Sequence, residues 1–260
     1  MDLIVLTLFP GMFDAFWEHG IIRRAVSNGK IRARAIDIRD CAEGKHRTAD
    51  DRPYGGGCGM VMKPDPIARA MGRAMEKAPG ARRVLLTPQG RTLDQGLVEK
   101  LAGLEGMILV CGRYEGVDER LREHHIDDEI SVGDYVLSGG ETAAMILMDS
   151  VVRMIPGALG SRESALEDSF SNDRLKHPQY TRPRVFEGSE TPGVLLSGDH
   201  GRIKMWRAEM SLAHTLINKP DLLEKRPPDE METKILKKWR GNIDRILESL
   251  HGPGPLPGGR

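Results

Sequence analysis

Three carboxylates stand close together in a segment whose apolar residues show little periodicity. They are Glu163, Glu167 and Asp168, within residues 158–190. A carboxylate serves as a general base when burial or a neighbouring acid raises its pKa, or when the substrate anion is stabilised so that the proton leaves easily. The sequence alone shows neither condition. A general base is one interpretation, and a solvated loop or the first turn of a helix is the simpler one.

An arginine interrupts the most apolar stretch of the chain. Arg153 lies in residues 140–154, which are apolar on most sides and predict a buried helix. An unpaired guanidinium in such a helix carries a desolvation penalty of several kcal/mol. Arg153 therefore either pairs with Asp149, one turn earlier, or faces a site.

Glycine-rich clusters close three predicted strands. They lie at residues 88–90, 112–116 and 132–140. Ligands of open α/β sheets bind at the carboxyl ends of the strands, and glycine there lets backbone amides approach a flat ligand closely. Together the clusters predict a site for a nucleoside-bearing small molecule, whereas each alone fits a tight turn. Neither GxxxxGKS, GxxxxGKT nor GxGxxG occurs, which argues against a P-loop nucleotidase and a standard dinucleotide-binding Rossmann enzyme.

Cations and aromatic rings recur together in four places, a pattern that fits contacts to RNA. The places are His46–Arg47, Asp51–Tyr54, His177–Arg184 and the helical residues Arg202, Lys204, Trp206 and Arg207. Mobile or helix-displayed cations suit phosphates, and splayed bases stack on rings or guanidinium planes. The 38 basic side chains are balanced by 38 acidic ones, so any such site is a local patch. Ordinary solvated helix faces explain Arg202 and Lys204 equally well.

Short aliphatic runs alternate with amphipathic stretches of helical length in the first part of the chain. The runs cover 3–8, 31–38, 83–87 and 107–111, and the stretches cover 14–28, 66–78 and 94–102. This alternation predicts an α/β sheet domain. Residues 201–250 have a helical pattern throughout and predict a small all-α domain. The predicted organisation is a sheet domain at 1–160, a linker or active-site loop at 161–190, a helical domain at 191–251 and a disordered tail at 252–260.

The composition excludes several classes of protein. With 39% hydrophobic and 29% charged residues among 260, the chain is typical of a folded globular protein, not of a disordered chain or a membrane bundle. The longest apolar runs are strand-sized, so no membrane span is expected. Met1–Leu8 predicts a buried strand rather than a secretory signal. Cys41, Cys58 and Cys111 lack metal-ligand spacing, which predicts reduced thiols, no metal site and a cytoplasmic location.

Seven motifs follow one another in the order known from one enzyme family. They are Leu8–Phe13, His46–Gly57, Pro88–Arg91, Cys111–Arg120, Gly133–Glu141, Glu167–Phe170 and Tyr180–Pro183. Together they resemble the bacterial tRNA (guanine-N1)-methyltransferase family, TrmD, of the SPOUT superfamily. The resemblance extends from the first strand to about Arg207.

The resemblance implies a fold, a reaction and a set of partners. The fold is a SPOUT-type sheet domain with a deep trefoil knot. The reaction transfers the methyl group of S-adenosylmethionine to N1 of the guanosine immediately 3′ of the anticodon (position 37) in tRNA, which maintains the reading frame in translation. The enzyme is a homodimer whose active site is shared between subunits. The implied donor-binding residues are Leu86, Pro88, Gln89, Gly90, Gly112, Tyr114, Glu115, Val132, Gly133, Asp134, Tyr135, Val136, Leu137, Gly139 and Gly140.

The resemblance also assigns roles to two of the candidate residues. Asp168 matches the general base that removes the proton from guanine N1, and Arg153 matches the arginine that stabilises charge on the purine oxygen. An oxyanion stabiliser lets an ordinary aspartate serve as a base. Family members use magnesium in the transfer, as a Lewis acid near the purine oxygen or as an aid to Glu115 in positioning substrate. The sequence contains no dedicated octahedral ligand cluster.

Two positions depart from the family pattern. Cys58 stands where the family commonly has proline, and Lys176 stands in a stretch where relatives often carry an acid. An active-site role for that acid does not transfer to this chain. Two alternatives stay open beside the leading one: a SPOUT methyltransferase acting on another RNA or another atom, and a tRNA-binding or assembly factor that has lost its chemistry.

Overall fold

The computed structural model describes residues 1–159 and 168–251. The chain divides into two compact units, Met1–Ala165 and Leu166–Arg260. The linker predicted at 161–190 begins in the first unit and continues into the second. The predicted tail at 252–260 lies outside the described residues.

A parallel sheet forms the centre of the first unit. The strands of this unit are β1 (Asp2–Thr7), β2 (Arg32–Asp37), β3 (Asp50–Asp51), β4 (Val61–Met62), β5 (Arg82–Thr92), β6 (Gly106–Cys111) and β7 (Asp128–Ser131). Five of them form the parallel sheet in the order β2-β1-β6-β5-β7, and β3 and β4 form a separate antiparallel pair. β1 and β6 are buried along their whole length because both faces of the sheet are covered. The predicted α/β class of this part of the chain is confirmed.

Helices cover both faces of that sheet. They are α1 (Asp14–Glu18), α2 (Gly20–Ser27), α3 (Pro64–Lys77), α4 (Gln95–Ala102), α5 (Glu119–His125) and α6 (Gly140–Met154). Alternate residues of β1 enter opposite hydrophobic clusters, because successive side chains of a strand point to opposite faces. Leu3 and Val5 pack in the cluster that contains α2, α4 and α6, and Ile4 and Leu6 pack in the one that contains α3.

Two predicted elements differ from the observed ones. The single helix expected over 14–28 is divided into α1 and α2, because His19 has extended backbone angles, φ −127° and ψ 159°. The strand expected over 83–87 continues to Thr92, because the chain leaves the ladder and then pairs with β7 again. A hydrophobic pattern does not record either interruption.

The second unit is mainly helical. A short antiparallel pair, β8 (Val185–Phe186) and β9 (Ser189–Glu190), precedes α7 (His200–Asn218), α8 (Asp221–Lys225) and α9 (Glu230–His251). Each helix contributes a buried apolar side chain to the packing, namely Leu212, Leu222 and Ile235. In residues 1–159 and 168–251, no helix has both the length and the apolar character needed to cross a membrane.

Candidate functional site

A cavity of about 460 Å³ opens beyond the carboxyl ends of β5, β6 and β7. Pockets of a few hundred Å³ at this end of a parallel sheet are typical of small-molecule sites. Most of the residues predicted to bind the methyl donor lie in its wall. Those lining it are Leu86, Pro88, Gln89, Gly112, Tyr114, Glu115, Val132, Gly133, Tyr135, Val136, Leu137, Gly139 and Gly140. Gly90 and Asp134 lie outside the lining.

A bulge in β5 carries Pro88 and Gln89 into the cavity wall. Leu86 and Arg91 both pair with Ile130 of β7, so residues 87–90 leave the ladder and rejoin it without advancing along β7. At the point of return, a Cβ on Gly90 would collide with the backbone of Glu129. Gly90 therefore shapes the loop from behind, which explains why it does not line the cavity itself.

The start of α6 lies against the end of β6, backbone to backbone. The Gly140 N–H donates to the carbonyl oxygen of Gly112 at 2.9 Å. A Cβ on Gly140 would lie 2.7 Å from Cys111 Cα and 3.1 Å from Gly112 N. No side chain fits there without moving the backbone. The glycine therefore joins the loops that follow β6 and β7 into one wall of the cavity.

Replacing Gly140 with alanine is expected to weaken binding of S-adenosylmethionine by at least about tenfold, roughly 1.4 kcal/mol. The two loops meet because glycine has no side chain, and the added Cβ would push them apart. Isothermal calorimetry with the donor measures the effect. The matched control is Gly72→Ala in α3, an exposed site where a Cβ meets nothing within 4 Å. Equal donor affinity in the Gly140→Ala variant would contradict the assignment of this wall to the donor.

A buried carboxylate holds a second part of the same wall. Glu141 is fully buried and accepts hydrogen bonds from Thr7 Oγ1 at 2.7 Å and from Arg113 Nε at 2.9 Å. The Arg113 guanidinium also lies 4.5 Å from the centroid of the Phe9 ring and donates to the carbonyl oxygen of Ser138 at 3.1 Å. These contacts connect the turn before α6 to β1 and to the loop after β6. This network was not predicted from the sequence, although its residues come from the first strand and from three of the quoted motifs.

Neither thiol chemistry nor a clustered metal site is found in the cavity. Burial raises the pKa of the Cys111 thiol well above its ordinary value, so the thiol stays neutral and is not a nucleophile. Cys41 and Cys111 are buried, Cys58 is exposed, and all three are free. Across the part of the chain that the structure describes, no three histidine, cysteine, aspartate or glutamate residues come together as metal ligands.

The second unit has its own cleft, of about 840 Å³. Asp168, the predicted general base, lines this cleft together with Lys204 and Arg207 of α7. The Asp168 carboxylate oxygen Oδ1 lies 3.0 Å from Lys176 Nζ. The structure therefore brings the predicted base and two of the predicted RNA-contacting cations into one depression. The acids Glu163 and Glu167 lie outside the described residues.

Aromatic rings from two of the predicted groups lie close together in the same unit. The ring centroid of Trp206 is 6.2 Å from that of Tyr180 and 6.4 Å from that of His177. Arg202 is exposed in the first turn of α7, where its N–H donates to Asp199. His177 and Tyr180 belong to one predicted group and Trp206 to another, so two groups that are distant in sequence meet at Trp206.

Arg153 does not have the surroundings that its sequence context predicts. It lies in the last turn of α6, and its side chain is exposed, as is that of Asp149. The helix itself is buried as expected, through residues such as Leu147 and Val151. The desolvation argument was wrong for this position, because the buried stripe of α6 passes beside Arg153 without including it.

Comparisons with known proteins agree with one another. A family model described as tRNA (Guanine-1)-methyltransferase TrmD matches residues 1–225. A tRNA (guanine-N(1)-)-methyltransferase of Desulfatibacillum aliphaticivorans is 56% identical over 258 residues, 98% of each chain. The enzyme of the same description from Geobacillus kaustophilus is 48% identical over 92% of this chain and 98% of its own. That from Nitrosococcus oceani is 52% identical over 90% and 94%. With a model match over most of its length and relatives of this identity, the chain belongs to the TrmD family of tRNA (guanine-1)-methyltransferases.

Proposed function

We propose that this chain transfers the methyl group of S-adenosylmethionine to N1 of the guanosine at position 37 of tRNA, immediately 3′ of the anticodon, and so maintains the reading frame in translation. The observation that carries the proposal is the cavity beyond β5, β6 and β7, which is lined by three of the motifs typical of the family. The basic and aromatic surface of α7 supports RNA as the second substrate.

The residues of the cavity fit the methyl donor. Its lining combines apolar side chains, such as Leu86 and Leu137, with the charged groups of Arg113 and Glu115. A nucleoside that carries a charged amino-acid tail needs both kinds of surface. The close contact at Gly140 holds together the two loops whose backbones line the cavity. We therefore assign donor binding to the lining residues and give Gly90 a shaping role.

In the proposed mechanism the protein moves one proton and stabilises one charge. Asp168 accepts the proton from guanine N1, and Arg153 stabilises the negative charge that develops on the purine oxygen. Bound S-adenosylmethionine supplies an activated methyl group on a sulfonium. No covalent enzyme intermediate is needed, in agreement with the neutral, buried thiol of Cys111. Holding both substrates in one geometry provides much of the rate. We assign magnesium neither ligands nor a step.

We also propose the trefoil knot, the all-α second domain and the cytoplasmic location of the family. The connectivity supports the knot. β5 lies between β6 and β7 in the sheet, yet the segment after β7 returns to the end of β6, where Gly140 meets Gly112. The helical elements from residue 193 to His251 support the second domain. The free thiols of Cys41, Cys58 and Cys111 support a reducing compartment.

A methyl-transfer assay on tRNA transcripts tests the function. We expect incorporation into a transcript with guanosine at position 37 and none into a matched transcript with adenosine there. Methylation of both transcripts would show that the methyl group is transferred to another atom or another position of the tRNA. Methylation of neither, with retained tRNA binding, would leave a binding or assembly factor and would overturn the proposal.

A shared active site is the second part of the proposal, and mixing two inactive variants tests it. Asp168→Asn removes the base, and Gly140→Val blocks the donor cavity. If the base of one protomer serves the cavity of its partner, equal mixing of co-refolded subunits restores about a quarter of the wild-type activity, because half of the dimers are mixed and each has one intact site. A mixture as inactive as its components would show that each protomer builds its own site.

A further inference from the structure

The general base proposed above lies beside an ammonium group. Lys176 Nζ and Asp168 Oδ1 are 3.0 Å apart, and the two side chains are 30% and 35% exposed. We propose that Lys176 is a positioning residue for catalysis, which holds the Asp168 carboxylate in place. The inference rests on the proposed function, since it concerns the base of that reaction.

The backbone next to Lys176 is tied to a helix. The Leu175 N–H donates to Thr215 Oγ1 at 3.0 Å, and the Leu175 carbonyl oxygen accepts from Ser211 Oγ at 2.6 Å. Both hydroxyls belong to α7. One residue earlier, Arg174 is buried against Glu232 of α9. The backbone that carries Lys176 is therefore held in place by contacts to α7 and α9.

The segment between the two charged residues is closed on itself. The Lys176 N–H donates to Ser169 Oγ at 2.9 Å, and the Phe170 N–H donates to the Arg174 carbonyl oxygen at 2.8 Å. Residues 168–176 thus form a loop whose ends meet. The Lys176 side chain adds a tie between this anchored loop and the carboxylate. The Lys176 side chain thus connects the Asp168 carboxylate to a backbone that is hydrogen-bonded to α7 and, through the Arg174 side chain, ion-paired to α9.

Among the described residues, the charged groups that line this cleft have a net positive balance. The titratable and charged groups that line the same cleft are Arg174 and His177 from the loop, His200, Lys204 and Arg207 from α7, Arg226 after α8, and Asp229 and Glu232 at the start of α9. Glu232 is already satisfied by Arg174 and Arg226. Of the cations, Lys176 is in direct contact with Asp168. A charge-assisted hydrogen bond at 3.0 Å fixes where the carboxylate lies.

Single-turnover methyl transfer at saturating tRNA and donor tests the inference. Lys176→Met is expected to lower the rate constant about tenfold through a misplaced base. Affinity for tRNA and donor should stay within about twofold. Lys176→Arg keeps a cationic donor and should restore most of the rate. The matched control is Lys238→Met, which removes a 3.2 Å ion pair with Glu209 in the same unit.

The outcomes separate this inference from the function on which it rests. A wild-type rate in Lys176→Met, with Asp168→Asn inactive, would overturn the role of Lys176 alone. Lower tRNA affinity at an unchanged saturated rate would make Lys176 a phosphate contact and would overturn it too. An active Asp168→Asn variant would instead reject the proposed base. If Lys176→Met does not fold, Lys176→Gln decides by the same two measurements.

Discussion

Asp168→Asn is expected to reduce methyl transfer to tRNA by roughly 10²–10⁴-fold, the usual contribution of a positioned general base. Asparagine keeps the size of the side chain and an oxygen that accepts from Lys176, but it takes no proton from guanine N1. The cavity proposed for the donor is lined by residues of the first unit, whereas Asp168 belongs to the second. Affinity for S-adenosylmethionine should therefore be unchanged.

Rapid-quench kinetics and calorimetry measure the two quantities separately. The first gives the rate constant for a single turnover on pre-bound tRNA, and the second gives donor affinity. Asp221→Asn is the matched control, because it removes an exposed carboxylate from the second unit. Loss of donor binding in Asp168→Asn would indicate a folding or pocket role for the residue. A rate near that of wild type would reject Asp168 as the base.

Glu232→Ala is expected to destabilise the second unit by about 3–5 kcal/mol, the range for removing one partner of a buried charge pair. Glu232 accepts from Arg174 Nε at 2.7 Å and from Arg226 Nη2 at 2.8 Å, and Arg174 and Glu232 are 6% and 9% exposed. The substitution leaves the Arg174 guanidinium buried without its carboxylate. Urea unfolding followed by the fluorescence of Trp206 and Trp239, both in this unit, measures the loss.

An exposed glutamate of the same helix provides the control. Glu230→Ala in α9 should change the free energy of unfolding by no more than about 0.5 kcal/mol. A Glu232→Ala variant as stable as this control would show that the pair with Arg174 contributes nothing to the packing of α9.

Stability should also depend on pH through Glu232. Burial alone would raise the pKa of this carboxyl, but hydrogen bonds from Arg174, the Asp229 N–H and Arg226 outweigh burial and hold the pKa below its usual 4.5. A lowered folded-state pKa adds stability that is complete above pH 4.5 and is lost as the pH falls through the folded value. We expect the second unit to lose stability below pH 4.5, and to lose less in Glu232→Gln. Equal losses in both proteins would contradict this account.

Local patterns were sufficient to predict much of this protein. Strand β1, helix α6 and the end of the sheet at which the cavity opens follow from alternation, helical period and glycine placement, each of which is a property of neighbouring residues. The motifs predicted the family for the same reason, since each is a short continuous stretch. The division of 14–28 at His19 and the return of β5 at Arg91 were not predicted, because a hydrophobic pattern continues across both.

The contacts that complete the candidate sites belong to the folded chain alone. Thr7 and Glu141 are 134 residues apart in sequence, and Arg174 and Glu232 are 58 apart. Lys176 meets Asp168 only because the loop between them closes on itself. Arg153 is exposed where its neighbours in sequence predict burial. Which charged groups meet, and which face solvent, depends on how distant segments pack, and no spacing along the chain encodes that packing.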